Sequence, residues 1–120
     1  MNNVAVKKWI DALRSGDYTQ CEGYLRIKDS HCVLGVLCDV HSKENQSECG
    51  WASIEGRLFY GYCGDEVGLV DEVEEWIGSD LMDSLQGADD DLILANDYGK
   101  YNFDKLANMI EDHAKELGYE

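Results

Sequence analysis

The stretch HCVLGVLCDV, residues 31–40, decides how the rest of the chain is read. It is almost entirely apolar from Cys32 onward, and a segment that is apolar all round belongs in the centre of a core. Periodicity alone does not separate a buried strand from a buried helix in so short a run. We favour a helix to about His41, because apolar residues then fill two faces, and we expect Gly35 to allow a close crossing with another helix.

Two amphipathic segments flank this core segment, near the two ends of the chain. The first ends at Gly16, and the second is capped by Asn102 and ends at Gly118. The apolar residues at helical spacing in the first are Val6, Trp9, Ile10 and Leu13. Those in the second are Phe103, Leu106, Ala107, Ile110, Ala114 and Leu117. A third helix is predicted over residues 67–77, with one further turn at 81–85.

Strands are predicted where apolar and polar residues alternate or aromatic residues cluster. These segments are residues 24–28, 51–54 and 57–62, the last two joined at Glu55-Gly56. Residues 92–95 predict a short extended or helical patch, and 96–99 predict a turn. We therefore expect an α+β fold in which residues 1–120 form a small single domain, with three to four helices packed on a short antiparallel sheet.

The charge of the chain is strongly segregated. Its 120 residues include 10 Lys and Arg and 25 Asp and Glu, which gives a formal net charge of −15. Residues 58–99 contain twelve acidic residues and no Lys or Arg, whereas residues 1–57 and 100–120 have net charges of only −1 and −2. Direct binding to nucleic acid or to anionic membrane requires a basic surface, so we expect neither.

The acidic segment predicts a surface that binds a Lys- and Arg-rich partner. Like charges one helical turn apart destabilise a helix by about 0.2–0.5 kcal/mol per pair, and a folded acidic surface can imitate a phosphate backbone. The alternative is a solvated surface that only keeps the protein soluble. The candidate partner-binding residues are Asp71, Glu72, Glu74, Glu75, Asp80, Asp83, Asp89, Asp90 and Asp91.

The cysteines and histidines offer a different chemistry. The residues that could share a zinc ion are His31, Cys32, Cys38 and His41, with Cys49 or Cys63 as a further ligand. Their spacing matches no familiar zinc module, and apolar neighbours favour cysteine as a small core residue. A nucleophile at Cys32 or Cys63, with His41 or His113 as base, has no neighbour that would lower the thiol pKa. We expect no metal, no cofactor and no enzymatic activity.

A small-ligand module, such as a nucleotide-binding protein, is a further alternative. Its aromatic pocket would consist of Trp51, Phe59, Tyr60 and Tyr62, which belong to two predicted strands. We favour the simpler interpretation that these four side chains pack in the core of the sheet. An anionic ligand also fits poorly with a net charge of −15.

Five segments carry a pattern that extends over most of the chain. They are WIDALRSGDYTQ (9–20), GYLR (23–26), HCVLGVLCDV (31–40), LVDEVEEWIG (69–78) and NDYGKYNFDKLANMIE (96–111). They resemble a family of small uncharacterised phage and prophage accessory proteins with the pattern LRSG-Y-Q, CCLGVLCD and ND-G-SF-IA-IE. His31 replaces the first Cys of the family's CC pair. The resemblance implies a phage-encoded protein that acts in a bacterial cytoplasm, and it implies no activity.

Charge and resemblance together predict a non-enzymatic inhibitor directed at a host protein, anti-CRISPR-like or otherwise anti-defence. Its acidic surface would block a basic surface that binds nucleic acid, without touching nucleic acid or membrane itself. An odd number of cysteines without a recognisable secretion signal predicts reduced thiols, in agreement with a cytoplasmic location.

Overall fold

The computed structural model describes residues 3–45, 50–53, 59–65, 68–69, 71–86, 92–98 and 101–119. Within these residues it contains six helices and five strands. The helices are α1 (Asn3–Arg14), α2 (Val33–Asn45), α3 (Asp71–Ile77), α4 (Ser79–Leu85), α5 (Leu92–Asp97) and α6 (Phe103–Glu116). The strands are β1 (Thr19–Gln20), β2 (Arg26–Ile27), β3 (Ser30–His31), β4 (Trp51–Ser53) and β5 (Phe59–Tyr62). The α+β class is confirmed, with more helices than the three or four expected.

Helix α2 lies at the centre of the core, as the apolar stretch predicts. Its side chains Val36 and Leu37 are fully buried. Helix α1 packs on α2, and the indole Nε1 of Trp9 donates a hydrogen bond to the carbonyl oxygen of Val33 at 3.0 Å. Helix α6 packs along α1, and Asn102 caps it by accepting a hydrogen bond from the backbone N–H of Lys105 at 3.0 Å. The three longest helices therefore share one hydrophobic core.

Gly35 allows a close approach, but the neighbour is not the helix that we expected. A Cβ atom at this position would lie 1.8 Å from the carbonyl oxygen of Leu25. The backbone just before β2 therefore runs directly against α2, and the carbonyl of Leu25 accepts a hydrogen bond from the N–H of Cys32 at 3.0 Å. The expectation of a helix crossing was wrong because sequence spacing does not reveal which backbone approaches a glycine.

The five strands form one sheet in the order β1-β3-β2-β5-β4. The pairs β2–β3, β2–β5 and β4–β5 are antiparallel, as predicted, whereas β1 pairs with β3 in parallel. The sheet is therefore mixed. Strand β1 was not predicted, because a strand of two residues carries no periodic signal of its own. Trp51 lies opposite Tyr62, and Arg26 lies opposite both His31 and Tyr60. The predicted turn at Glu55-Gly56 lies outside the described residues.

Helix α5 replaces part of a predicted turn. Asn96 and Asp97 were expected at 96–99 in a turn, but they form the end of a helix. The buried amide of Asn96 accepts a hydrogen bond from the N–H of Val33 at 3.1 Å and donates one to the carbonyl oxygen of Cys21 at 2.9 Å. These long-range hydrogen bonds fix a residue that local propensity alone assigns to a turn.

The cysteines differ from the sequence prediction at one position. Cys21, Cys32 and Cys38 are free and buried, but Cys63 is disulfide-bonded. The expectation of reduced thiols is therefore wrong for Cys63. The remaining cysteine of the sequence, Cys49, lies outside the described residues.

Among the described helices, none combines the length and the apolar character that crossing a membrane would require.

Candidate functional site

Six of the nine candidate residues lie on two consecutive short helices. We call this set the acidic surface: Asp71, Glu72, Glu74 and Glu75 on α3, and Asp80 and Asp83 on α4. All of them are exposed except Glu74, which is half-buried. The other three candidates, Asp89, Asp90 and Asp91, lie outside the described residues.

The apolar residues of α3 and α4 explain why these carboxylates face outward. Val73 and Ile77 of α3 are fully buried, and so are Leu81 and Leu85 of α4. The spacing i, i+4 places each pair on one face of its helix, so the intervening acids point away from the core. Trp76 is half-buried and packs at the edge of the core.

Among the described residues, the acidic surface receives little compensation from Lys and Arg. Within the described part of the protein, Asp71, Glu74, Glu75, Asp80 and Asp83 form no salt bridge with Lys or Arg. Residues 58–99 supply no Lys or Arg at all. Acids in the first turn of a helix are stabilised by its dipole, and this applies to α3 and α4, but no such interaction reaches Glu75 or Asp83.

His41 connects the acidic surface to the core. It is 2% exposed on α2, and its Nδ1 lies 2.7 Å from the hydroxyl of Tyr62. Its Nε2 lies 3.9 Å from a carboxylate oxygen of Glu72, and its ring packs edge-on against that of Trp76 with 5.0 Å between centroids. Burial lowers the pKa of His41, and the nearby Glu72 carboxylate opposes that shift. A neutral histidine thus joins α2, β5 and α3.

Tyr119, just after α6, makes a second connection, which sequence spacing did not reveal. This tyrosine is 5% exposed, and its hydroxyl donates a hydrogen bond to Asp80 at 2.8 Å. Burial, together with that hydrogen bond, raises the pKa of Tyr119 to about 12, so the phenol stays protonated. The only sequence signal was its place just after Gly118 at the end of α6.

Among the described residues, the structure does not gather the predicted cysteines and histidines into a ligand set, and Cys49 lies outside them. In the described ranges no group of three or more His, Cys, Asp or Glu could hold a metal ion. His31 instead packs edge-on between Tyr18 and Trp51, at centroid distances of 5.1 and 5.6 Å.

The buried thiols are poorly suited to act as nucleophiles. Burial raises the pKa of Cys21 to about 11 and that of Cys32 to about 12, and it raises the pKa of Cys38 strongly. Thiolate is the reactive form, and it is scarce at neutral pH for all three residues.

Three of the four side chains of the predicted aromatic pocket, Trp51, Tyr60 and Tyr62, pack against neighbours within the sheet. Trp51 and Tyr62 pack against each other at 5.0 Å, and Tyr62 is buried. The guanidinium of Arg26 lies over the rings of Trp51 and Tyr60, at 5.5 and 4.1 Å. The indole Nε1 of Trp51 donates to Asp39 at 3.1 Å. These contacts are those of a sheet packed against α2; for Phe59, only its place in β5 is described.

Comparison with known proteins adds a family but no activity. The chain matches the family described as a domain of unknown function (DUF8296) over residues 1–114. No curated protein and no solved structure matches the chain. Since the match covers nearly the whole sequence, the chain belongs to the DUF8296 family.

Proposed function

We propose that this protein is a non-enzymatic inhibitor that binds a host protein through the acidic surface and blocks a basic, nucleic-acid-binding surface of that partner. One observation carries the proposal: five of the six carboxylates of α3 and α4 are exposed on consecutive helices, with no Lys or Arg between them in the sequence. Their mutual repulsion is relieved when a cationic surface arrives, which favours association.

The class of partner follows from charge complementarity. A protein surface rich in Lys and Arg most often binds phosphates, and a compact set of carboxylates competes for the same cations. Resemblance to phage accessory proteins supports a bacterial defence complex as the target, in the manner of an anti-CRISPR protein. Direct contact of this chain with nucleic acid is not part of the proposal, because the net charge of −15 opposes it.

Two charge-reversal variants test this proposal. The surface variant carries Asp71→Lys, Glu75→Lys and Asp83→Lys, and the control variant carries Asp17→Lys, Glu22→Lys and Asp104→Lys. All six positions are exposed, and each set includes one acid in the first turn of a helix. Each variant changes the net charge from −15 to −9, since three reversals add two units each. The two variants therefore differ only in where the charge is changed.

The experiment is affinity capture from a nuclease-treated bacterial lysate at about 0.05 M and about 0.5 M salt, with added DNA as a competitor. We expect the native protein and the control variant to retain a Lys- and Arg-rich nucleic-acid-binding protein at low salt, and DNA or high salt to release it. The surface variant should lose most of this retention. Equal retention by the two variants would contradict the proposal.

The bacterial cytoplasm is the proposed place of action. It follows from the resemblance to phage proteins, whereas the disulfide at Cys63 runs against it, because disulfides rarely persist in reducing compartments. Thiols alkylated at the moment of cell lysis and counted by mass spectrometry decide the point. Five alkylated cysteines would support the cytoplasm, and a lower number would argue for an oxidising compartment.

A further inference from the structure

A single glycine forms the elbow between the two helices of the acidic surface. The N–H of Gly78 donates to the carbonyl of Glu74 at 2.9 Å and so closes α3, while its own carbonyl accepts from the N–H of Met82 at 3.2 Å and so opens α4. Its φ is +116°, a conformation that residues with a side chain rarely adopt. The change of chain direction between α3 and α4 therefore occurs at this one residue.

Tyr119 fills the space beside this elbow. A Cβ atom on Gly78 would lie 2.1 Å from the Tyr119 hydroxyl, so the phenol occupies the position that any other residue at 78 would need. The same hydroxyl donates to Asp80, the first acid of α4, at 2.8 Å. One phenol thus contacts both the hinge residue and a carboxylate of the acidic surface.

The phenol is itself held by the end of α6. The N–H of Tyr119 donates to the carbonyl of Ala114 at 2.9 Å, and the preceding Gly118 has a φ of +91°. This is the geometry by which a helix ends and directs the next residue back over its last turn. Through it, the elbow is attached to α6, one of the longest helices of the core.

We propose that Tyr119 is a positioning residue: it fixes the elbow at Gly78 and thereby holds the carboxylates of α3 and α4 in one arrangement for a cationic partner. This inference rests on the function proposed above. Its physical basis is preorganisation, because a surface that is already ordered loses less conformational freedom when it binds. Tyr119 carries no charge, so its contribution is separable from the amount of charge on the surface.

The first test is hydrogen–deuterium exchange of residues 78–85 in Tyr119→Phe, which removes only the hydroxyl. We expect about fivefold loss of protection in α4 and no change in α1, as one hydrogen bond is lost. Asp80→Ala breaks the same bond from its other side, so its effect should not add to that of Tyr119→Phe. Tyr98→Phe, at a tyrosine that is 73% exposed, is the matched control. Unchanged protection in both Tyr119→Phe and Asp80→Ala would overturn the proposal.

The second test measures binding of poly-L-lysine at low salt by the native protein, by Tyr119→Phe and by the two charge-reversal variants. We expect Tyr119→Phe to bind about threefold more weakly than the native protein, although their charges are identical. If its affinity were unchanged while α4 exchanged faster, Tyr119 would hold the elbow without serving the surface, and the proposal would be overturned. If the surface and control variants lost equal affinity, the proposed function itself would fail, and the exchange test would still decide whether Tyr119 holds the elbow.

Discussion

Two surfaces of this molecule treat charge in opposite ways. Where α1 meets α6, Arg14 donates to Glu111 at 3.2 Å and to the side chain of Asn108 at 2.6 Å, and Lys115 lies 3.7 Å from Glu111. On the acidic surface of α3 and α4, carboxylates stand beside carboxylates. Ten cations are available in the chain, so the difference reflects their placement along the sequence and not a general lack of them. Cations balance the acids where α1 meets α6, whereas no Lys or Arg of the described residues pairs with Asp71, Glu74, Glu75, Asp80 or Asp83 on the acidic surface.

The largest loss of stability is expected from a substitution at Gly78, the elbow between the two helices of the acidic surface. Gly78→Ala places a Cβ 2.1 Å from the Tyr119 hydroxyl at a φ of +116°, and we expect it to lower the free energy of unfolding by about 3 kcal/mol or more. Gly16 follows α1 with a φ of +81°, but a Cβ atom there would meet no atom within 4 Å. Gly16→Ala should therefore lower the free energy of unfolding by only about 1 kcal/mol. Chemical denaturation of both variants measures the difference. Equal losses would mean that Tyr119 does not constrain position 78.

A smaller change in stability is expected from the protonation of the two histidines buried in the core. Burial lowers the pKa of both His31 and His41 from 6.5. Facing His31 are Tyr18, Arg26, Asp39 and Lys43; facing His41 are Tyr62 and Glu72. As the pH drops, the histidines of the unfolded chain bind protons at a higher pH than the buried histidines of the folded protein do. The free energy of unfolding should therefore fall below about pH 6.5.

Thermal unfolding between pH 7 and pH 5 measures this effect in the native protein and in His31→Phe and His41→Gln. Each variant should lose less stability on acidification than the native protein does, because one proton-binding difference has been removed. The protonation of carboxylates adds its own pH dependence, so the variants are compared with the native slope. A native slope retained in both variants would show that these histidines do not titrate as buried neutral groups.

The smallest expected effect is a shift in melting temperature, and it compares the two surfaces most directly. Glu75→Gln removes a carboxylate that has like-charged neighbours, Asp71 and Glu72, one helical turn away, and should raise the melting temperature slightly. Glu111→Gln removes a carboxylate whose pKa Arg14 holds below its usual range, and should lower the melting temperature. The opposite signs are the expected result of differential scanning calorimetry at low salt. Two shifts of the same sign would remove the distinction between the surfaces.

The sequence predicts the parts of the fold that depend on local spacing. The apolar stripe of α1 and that of α6 with its cap at Asn102 were each sufficient to assign a helix, whereas the apolar run of α2 favoured a helix without excluding a buried strand. In the structure the acids on α3 and α4 point outward because Val73, Ile77, Leu81 and Leu85 are buried at the spacing i, i+4.

What could not be predicted depends on contacts between residues far apart in the chain. Asn96 joins a helix because it bonds to Val33 and Cys21, and Gly35 is close to Leu25 and not to a helix. Tyr119 meets Asp80 across thirty-nine positions of sequence. No local pattern encodes which partner such a side chain finds, so the residues that position the acidic surface became visible only in three dimensions.

The central claim is that a partner covers the acidic surface, and carboxyl footprinting tests it most directly. The captured host protein is bound, and exposed carboxylates are labelled with a carbodiimide and an amine in the free protein and in the complex. We predict that labelling of Asp71, Glu75 and Asp83 falls several-fold on binding, whereas labelling of Asp17 and Glu22 stays the same. Full labelling of the three acids on α3 and α4 in the saturated complex would contradict the claim.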